Sequence, residues 1–225
     1  MSGTLYIVAT PIGNLQDMTP RAVQILDKVT LILAEDTRSA KKILTHFDIK
    51  TPVKSYHQHS SANRRLEILN MLLQGQDLAL ITDAGTPGIS DPGNELVDFL
   101  YEHGPTSIIP IPGPSAVSTV ISVCGFNMQR YIFVGFVPKK GRLMFFRNLR
   151  ELNMPVVYFD SPHRVVKNLE MVKEVFGEEV RVFIGRELTK IHETHYRGKV
   201  ADVMGQLLKQ KVIKGEISVV VEGKV

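Results

Sequence analysis

The sequence contains a single cysteine, Cys124, in 225 residues. One thiol cannot form an intramolecular disulfide, and this composition fits a protein of the reducing cytosol. We therefore expect a cytoplasmic location. Because the cysteine closes a mostly apolar segment at residues 116–124, its expected role is that of a small buried hydrophobic residue rather than a nucleophile.

Long uninterrupted apolar runs are also missing. The longest apolar stretch, residues 108–126, is interrupted by three prolines and one glycine at residues 110–114. What remains is too short for a helix that crosses a bilayer. A secretory signal has a basic segment before its apolar residues, and the amino-terminal residues of this sequence have none. We expect neither a membrane segment nor a secretory leader.

Two well-known phosphate signatures, G-x-G-x-x-G and G-x-x-x-x-G-K-[ST], do not occur. Ordinary dinucleotide and nucleoside triphosphate binding therefore lose their main support. Metal signatures are absent as well. His57 and His59 have no cysteine or carboxylate partner nearby in the sequence. His192 and His195 are three residues apart, whereas the zinc-protease helix needs four. We expect no bound metal.

The charge balance is mildly basic. Lys+Arg number 27 against 23 Asp+Glu, so the net charge is +4 and the isoelectric point about 9.1. This balance permits an anionic partner such as RNA without demonstrating one. With 44% hydrophobic and 22% charged residues, the chain has the profile of a globular protein with enough apolar residues for a core.

Strand-like and helix-like segments alternate along the chain. This alternation predicts crossover connections, a largely parallel sheet and the α/β fold class. A soft boundary lies around residues 112–117, and we divide the chain into two α/β domains, residues 1–113 and 114–225. The last two strands, predicted at residues 193–200 and 217–221, are expected to pair around a helix.

A loop rich in glycine and proline, residues 83–93, follows an apolar run at residues 78–81 that reads as a buried strand. Glycines let the backbone approach a ligand closely, and prolines limit the entropy that the loop loses on binding. Asp91 is the predicted N-cap of the next helix, with Pro92 at its first position and Glu95 in its first turn. We call residues 83–93 the Gly/Pro loop. The alternative is a tight turn without a ligand.

Two further turns, residues 11–14 and 112–116, also lead from a strand to a helix start through glycine and proline. The carboxyl ends of parallel strands meet at one edge of a sheet, which is where open α/β sheets bind ligands. Helix N-termini there offer free N–H groups to an anionic group. We therefore predict that the three turns converge.

A pair of carboxylates, Glu35 and Asp36, ends the strand predicted at residues 30–34. Like charges at close quarters can raise one pKa and produce a general base. The simpler interpretation is that Asp36 or Thr37 caps the helix predicted at residues 39–47.

The densest basic cluster lies in the second half, at residues 139–150. It could hold phosphates, although a solvated charged face is the alternative. Nearby, His163 opens the helix predicted at residues 165–176, where it could be a base, a hydrogen-bond donor or merely a polar residue of the first turn.

Six motifs occur in order along the chain: VATPIGNL at residues 8–15, AEDTR at 34–38, TDAGTPGISDPG at 82–93, PGPSA at 112–116, SPHR at 161–164 and GRELTK at 185–190. Together they resemble the ribosomal RNA small subunit methyltransferase I family of the tetrapyrrole methylase superfamily, from Leu5 to about Val221. Tetrapyrrole members usually have a Gly-x-Gly-type first loop, so TPIGN at residues 10–14 favours the RNA branch. Many members continue into a basic helical tail, whereas this sequence ends at Val225.

The resemblance implies an S-adenosylmethionine-dependent enzyme that methylates the ribose 2′-hydroxyl of a cytidine in the decoding region of 16S small-subunit rRNA, free or in the assembled subunit. It also implies a homodimer of tetrapyrrole-methylase-like chains without membrane association, each with two α/β domains around a cofactor cleft. The first domain would supply the substrate side and the second would complete the cleft. The implied cofactor positions are Pro11, Asp83, Ala84, Gly85, Gly88, Ile89, Ser115, Ala116, Ser161, Pro162, Gly215 and Glu216. The implied RNA-facing positions are Asn14, Arg38, Lys139, Lys140 and Arg142.

For such a reaction the enzyme must mainly align the sugar oxygen with an already activated methyl group. A proton acceptor could add about 10²- to 10⁴-fold. Asp36 is the first candidate base, with Arg38 holding a neighbouring phosphate, and Glu187 and His163 follow. Two alternatives remain open: methylation of a tetrapyrrole or another non-RNA substrate at the same cofactor site, and a non-catalytic RNA-binding or ribosome-assembly module.

Overall fold

The computed structural model describes residues 2–105, 107–210 and 212–223. The chain divides into two compact units, Met1–Ser115 and Ala116–Val225. Each unit is built on a five-stranded sheet. Across the described residues, no helix combines the length and apolar character needed to span a membrane.

The sheet of the first unit is parallel throughout, in the order β3-β2-β4-β1-β5. Its strands are β1 (Thr4–Val8), β2 (Leu31–Ala34), β3 (Val53–Ser55), β4 (Leu78–Ile81) and β5 (Ser107–Ile111). The helices of this unit are α1 (Pro20–Lys28), α2 (Thr37–His46), α3 (Ala62–Leu73) and α4 (Asn94–His103). They supply the crossovers that parallel strands require. The expectation of a parallel α/β sheet is confirmed for this unit.

Strand β4 is buried on both faces, which explains its uninterrupted apolar sequence. Ala79 and Ile81 belong to one apolar layer, with residues of α1 and α2. Leu78 and Leu80 belong to the opposite layer, with residues of α3 and α4. A strand held from both sides presents its carboxyl end, and the Gly/Pro loop after it, at a defined position.

The start of α4 differs from the prediction. The cap residue is Gly93, with φ of 141°, and the helix begins at Asn94. The prediction that Asp91 caps the helix and that Pro92 is its first residue is wrong, because the chain still turns at Gly93 in a conformation that favours glycine. Glu95 lies in the first turn, as expected.

The second unit has a mixed sheet in the order β6-β7-β10-β8-β9. Its strands are β6 (Ile132–Phe136), β7 (Val156–Asp160), β8 (Arg181–Arg186), β9 (Thr194–Lys199) and β10 (Ile217–Val221). Its helices are α5 (Ala116–Cys124), α6 (Arg142–Glu151), α7 (Val165–Phe176) and α8 (Val200–Leu208). Among the described strands of this unit, β6 and β7 alone pair in parallel, whereas β10 runs antiparallel to both of its neighbours. The expectation of a largely parallel sheet is wrong for this unit.

The predicted pairing of the last two strands is also wrong. β10 lies between β7 and β8, and β9 pairs with β8. The burial patterns give the physical reason. Every residue of β10 is buried, so it takes a central position, whereas half of the residues of β9 are exposed, as in an edge strand.

Candidate functional site

The three predicted turns meet at the carboxyl edge of the first sheet. The Thr10 N–H donates to the Gly85 carbonyl at 2.9 Å, and the Gly85 N–H donates to the Thr10 carbonyl at 3.0 Å. The Thr86 hydroxyl donates to the Pro114 carbonyl at 3.3 Å. These bonds join the turn after β1 to the Gly/Pro loop, and that loop to the turn after β5. The predicted convergence is confirmed within the first unit.

Glycine is required at the centre of this junction. Gly85 is buried and has φ of 84°, and a Cβ placed on it would lie 3.5 Å from Ile12 Cγ2 and 3.8 Å from the Pro114 carbonyl oxygen. At Gly88, also with φ of 84°, a Cβ would lie 2.4 Å from Asn94 Oδ1. The loop therefore presents main-chain groups rather than side chains to whatever it faces.

Two threonines at the junction were not predicted as site residues. Thr10 is fully buried, and its hydroxyl donates to the Thr82 carbonyl at 3.2 Å. Thr82 is 3% exposed, and within the described part of the chain its hydroxyl has no hydrogen-bond partner. A buried hydroxyl without a partner is unusual and is consistent with a polar guest at this edge. The signal in the sequence was a polar residue directly after each apolar run.

The predicted cofactor positions of the first unit differ in exposure. Pro11 is buried at the junction, as Gly85 is, whereas Ala84, Gly88 and Ser115 are half-buried. Asp83 and Ile89 are exposed on the Gly/Pro loop. A cavity of about 290 Å³ lies along the same loop, lined by Tyr56, Gln58, Gly88, Ser90, Asp91, Pro92, Gly93, Asn94 and Glu95.

The two carboxylates after β2 have different environments. Asp36 caps α2, and its Oδ1 accepts the Arg38 N–H at 2.8 Å. The Arg38 guanidinium also donates to Asp36, with Nη2 2.7 Å from Oδ2. The Arg38 side chain therefore lowers the pKa of Asp36 from 3.8 to about 2. The capping interpretation is confirmed, and such an acidic group is a weak proton acceptor.

Glu35 is the member of the pair whose pKa is raised. Burial is the main cause, and the negative charges of Asp83 and Asp36 add to it, while a hydrogen bond from the Asp83 N–H and the nearby His57 act in the opposite direction. The side chain is half-buried and contacts the backbone of the Gly/Pro loop. The capping rule assigns Asp36 to the helix from the sequence, but the raised pKa of Glu35 depends on burial and on Asp83, which local sequence does not bring together.

In the second unit, a buried network fixes the turn that carries Ser161 and Pro162. Asp160, 3% exposed, ends β7 and accepts hydrogen bonds from both the Ser161 N–H at 2.7 Å and the Asn168 amide at 3.0 and 2.8 Å. The Asn168 carbonyl oxygen accepts from Arg142 Nη1 at 2.7 Å. Burial raises the pKa of Asp160, and the bonds from Asn168 and Ser161 oppose that rise.

Replacing Asn168 by alanine is expected to lower the free energy of unfolding by about 2 kcal/mol, because the buried Asp160 carboxylate loses its amide donor. The loss should shrink at acid pH. With the pKa of Asp160 raised above its unfolded value of 3.8, the folded protein favours the neutral acid as the pH falls. Urea unfolding at two pH values measures both effects. Asn148→Ala, at an exposed position of α6, is the control, and an equal midpoint for Asn168→Ala and wild type would contradict the prediction.

The predicted RNA-facing residues do not share one environment. Lys139, Lys140 and Arg38 are exposed. Arg142 is half-buried and bound to Asn168, so its guanidinium also supports the fold. Asn14 is exposed, but its side chain accepts the Gln16 N–H at 3.0 Å and caps the short 3₁₀ helix Leu15–Asp17.

The remaining predicted catalytic residues lie in the second unit. His163 is exposed in the turn before α7. Glu187 is half-buried beside Gly215 and Glu216. Burial alone would raise the pKa of Glu187, but hydrogen bonds from Lys190 and from the Glu216 N–H together lower it. Among the described residues, no group of histidine, cysteine and acidic side chains has the arrangement of a metal site.

Comparison with known proteins defines the class. The family model described as "Tetrapyrrole (Corrin/Porphyrin) Methylases" matches residues 4–204. Diphthine synthase aligns with a TM-score of 0.75 at 11% identity, covering 100% of this chain and 91% of its own. The methyltransferase CobJ aligns with a TM-score of 0.72 at 16% identity, covering 99% of this chain and 95% of its own. The fold is that of the tetrapyrrole methylases.

Closer relatives narrow this class. The ribosomal RNA small subunit methyltransferase I of Thermotoga maritima is 43% identical over 223 residues, which are 99% of each chain. The protein of the same name from Synechocystis is also 43% identical over 223 residues, covering 98% of this chain and 79% of its own. The chain belongs to the ribosomal RNA small subunit methyltransferase I family, and the resemblance seen in the motifs is confirmed.

Proposed function

We propose that this protein transfers a methyl group from S-adenosylmethionine to small-subunit ribosomal RNA, at the ribose 2′-oxygen of a cytidine in the decoding region. Family membership supports methyl transfer to this RNA. The sugar position and the nucleotide follow from the resemblance of the motifs. The structural observation that carries the proposal is the reciprocal hydrogen bonding of Thr10 and Gly85, which holds two Gly/Pro turns together at a ligand-binding edge.

The residues at this edge fit a polar, flexible guest. Gly85 keeps the junction open to main-chain contacts, and the buried Thr82 hydroxyl has no bonded partner among the described residues. In the first unit, Pro11, Ser115 and residues 83–85, 88 and 89 would hold the cofactor. In the second unit, Ala116, Ser161, Pro162, Gly215 and Glu216 would contribute. When bound, the sulfonium supplies a methyl group that is already activated for displacement.

The chain's own residues would then orient the sugar and receive its proton. We assign the proton to Glu35 rather than Asp36, because Asp36 is committed to Arg38 and to the start of α2. Asp36 would instead hold the exposed Arg38 guanidinium ready for a phosphate. Glu35 would accept the proton of the 2′-hydroxyl as that oxygen takes the methyl group. The bond between the methyl carbon and the sulfonium sulfur would break in the same displacement, and the sulfur would leave as a neutral thioether.

Exposed Lys139 and Lys140 would contact the RNA backbone, where cations displace bound counterions. Asn14 and Arg142 would contact the RNA with the polar atoms that remain, since each side chain already forms a hydrogen bond within the protein. His163, exposed in the turn before α7, would act as a hydrogen-bond donor to the RNA. We further propose that the protein acts in the cytoplasm as a homodimer, on free rRNA or on the assembled small subunit.

A methyl-transfer assay tests the proposal. Radiolabelled S-adenosylmethionine is offered with small subunits that lack the modification, with naked 16S rRNA and, separately, with tetrapyrrole and peptide substrates. We expect label in RNA, located by nuclease digestion and mass spectrometry on the ribose of one cytidine. Label on a tetrapyrrole or peptide, or on a base, would contradict it. RNA binding without any calorimetric signal for S-adenosylmethionine would favour the non-catalytic module.

A further inference from the structure

Strained backbone marks the loop that follows β8. Glu187 has φ of 54° and Thr189 has φ of 65°, and neither is a glycine. Such conformations are strained and persist where the surrounding contacts maintain them, often at functional sites. The Thr189 hydroxyl is also buried, with no hydrogen-bond partner in the described part of the chain.

The contacts that hold Glu187 lead to the turn formed by Gly215 and Glu216, whereas the Thr189 N–H donates to Glu193 Oε2. The Glu187 N–H donates to the Glu216 carbonyl at 2.9 Å, and the Glu216 N–H donates to Glu187 Oε1 at 2.8 Å. The Lys190 ammonium lies 2.9 Å from Glu187 Oε1 and 3.2 Å from Glu216 Oε2. One lysine thus pairs with both carboxylates and reduces the repulsion between them.

The turn has room for glycine alone. Gly215 has φ of 91°, and a Cβ on it would lie 2.4 Å from the Glu187 carboxyl carbon. The Glu187 side chain therefore occupies the space that any larger residue at position 215 would need. Arg186 adds a second restraint, since its Nη1 donates to the Lys214 carbonyl at 3.1 Å.

We propose that Glu187 is a positioning residue that holds the Gly215–Glu216 turn in the conformation that binds S-adenosylmethionine. The inference rests on the proposed function, which places the cofactor against this turn. Glu187 Oε1 accepts from two donors, so this oxygen is occupied by the turn rather than by a substrate proton. Its contribution should then be to cofactor affinity and not to the chemical step.

The test compares Glu187→Ala with Glu187→Gln. Alanine removes the acceptor for the Glu216 N–H and for Lys190, and we expect the Kd for S-adenosylmethionine, by calorimetry, and its KM to rise about tenfold or more. The kcat and its pH profile should stay within about twofold. Glutamine keeps the Oε1 acceptor and should restore most of the affinity. Glu179→Ala removes an exposed carboxylate paired with Lys199 and serves as the control.

An unchanged Kd in Glu187→Ala would overturn the inference, as would a lower kcat with an altered pH profile or a glutamine variant as weak as the alanine variant. If the wild-type chain binds no S-adenosylmethionine, the proposed function fails and this inference with it. If Glu187→Ala does not fold, the Kd of Gly215→Ala tests the inference instead, because the new Cβ displaces the same carboxylate. This variant must show the same rise in Kd.

Discussion

Replacing Glu35 by glutamine is expected to lower the single-turnover rate of methyl transfer by about 10²-fold or more, the contribution typical of a positioned proton acceptor. Glutamine has nearly the same shape, so it keeps contact with the Gly/Pro loop but cannot take a proton. Binding of S-adenosylmethionine should change little, because the carboxylate is assigned to the sugar hydroxyl. Single-turnover kinetics with saturating RNA and calorimetry with the cofactor separate these two quantities.

The pH dependence of the rate gives an independent readout. The base form of Glu35 is required, so the rate should rise as the pH increases through its pKa and become constant above it. That pKa is raised from 4.5 by burial, with the charges of Asp83 and Asp36 adding to the rise and a hydrogen bond from the Asp83 N–H and the nearby His57 opposing it. The glutamine variant should lose this rise.

Two comparison variants make the assignment to Glu35 specific. Asp36→Asn should reduce the rate less than Glu35→Gln does, because Asp36 acts through Arg38. Glu102→Gln, an exposed position on α4, should leave the rate unchanged. If Asp36→Asn loses more activity than Glu35→Gln, Asp36 is the base. If Glu35→Gln keeps the full rate, Glu35 is not the base.

Replacing Gly85 by alanine is expected to weaken S-adenosylmethionine binding by about 5- to 150-fold. This corresponds to a loss of roughly 1–3 kcal/mol of binding free energy, the cost typical of a strained backbone conformation. At φ of 84° an alanine either retains the strain or moves the loop. Movement would break the hydrogen bonds with Thr10 that join the first turn to the Gly/Pro loop. Calorimetric titration with S-adenosylmethionine measures the loss.

Gly177→Ala is the matched control for this substitution. Gly177 also has a positive φ, 98°, and a Cβ on it would meet nothing within 4 Å. It ends α7, at a position assigned to no ligand. Both variants bear the strain of an alanine in a glycine conformation, but only Gly85→Ala should lose affinity. If both variants bind S-adenosylmethionine with equal affinity, Gly85 is not part of the cofactor site.

The central strands and their turns were predictable because local chemistry decides them. The apolar run at residues 78–81 is a fully buried strand with the predicted bounds. The strand predicted at residues 217–221 is likewise found with the predicted bounds, as β10. Capping was less predictable at α4, where Asp91 has a suitable side chain but Gly93 controls the backbone direction. A side chain that can cap does so only where the chain already turns into the helix.

The order of strands in the second unit could not be predicted from local pattern. β10 is the last strand in the sequence, yet it occupies the centre of its sheet. Its position depends on pairing with β7 and β8, which lie far from it along the chain. Local periodicity identifies a strand but carries no information on its distant partners.

By itself, the sequence determined the α/β class, the strand-to-helix turns, the family and the candidate residues, because apolar periodicity, glycine, proline and motif order are properties of neighbouring residues. The tertiary structure alone decided which member of the Glu35–Asp36 pair keeps a raised pKa and what Glu187 contacts. Burial and the approach of Asp83 set the pKa of Glu35, and the turn before β10 supplies contacts to Glu187. Both arise only when distant segments pack together, since desolvation and Coulomb interactions depend on distance in space and not along the chain.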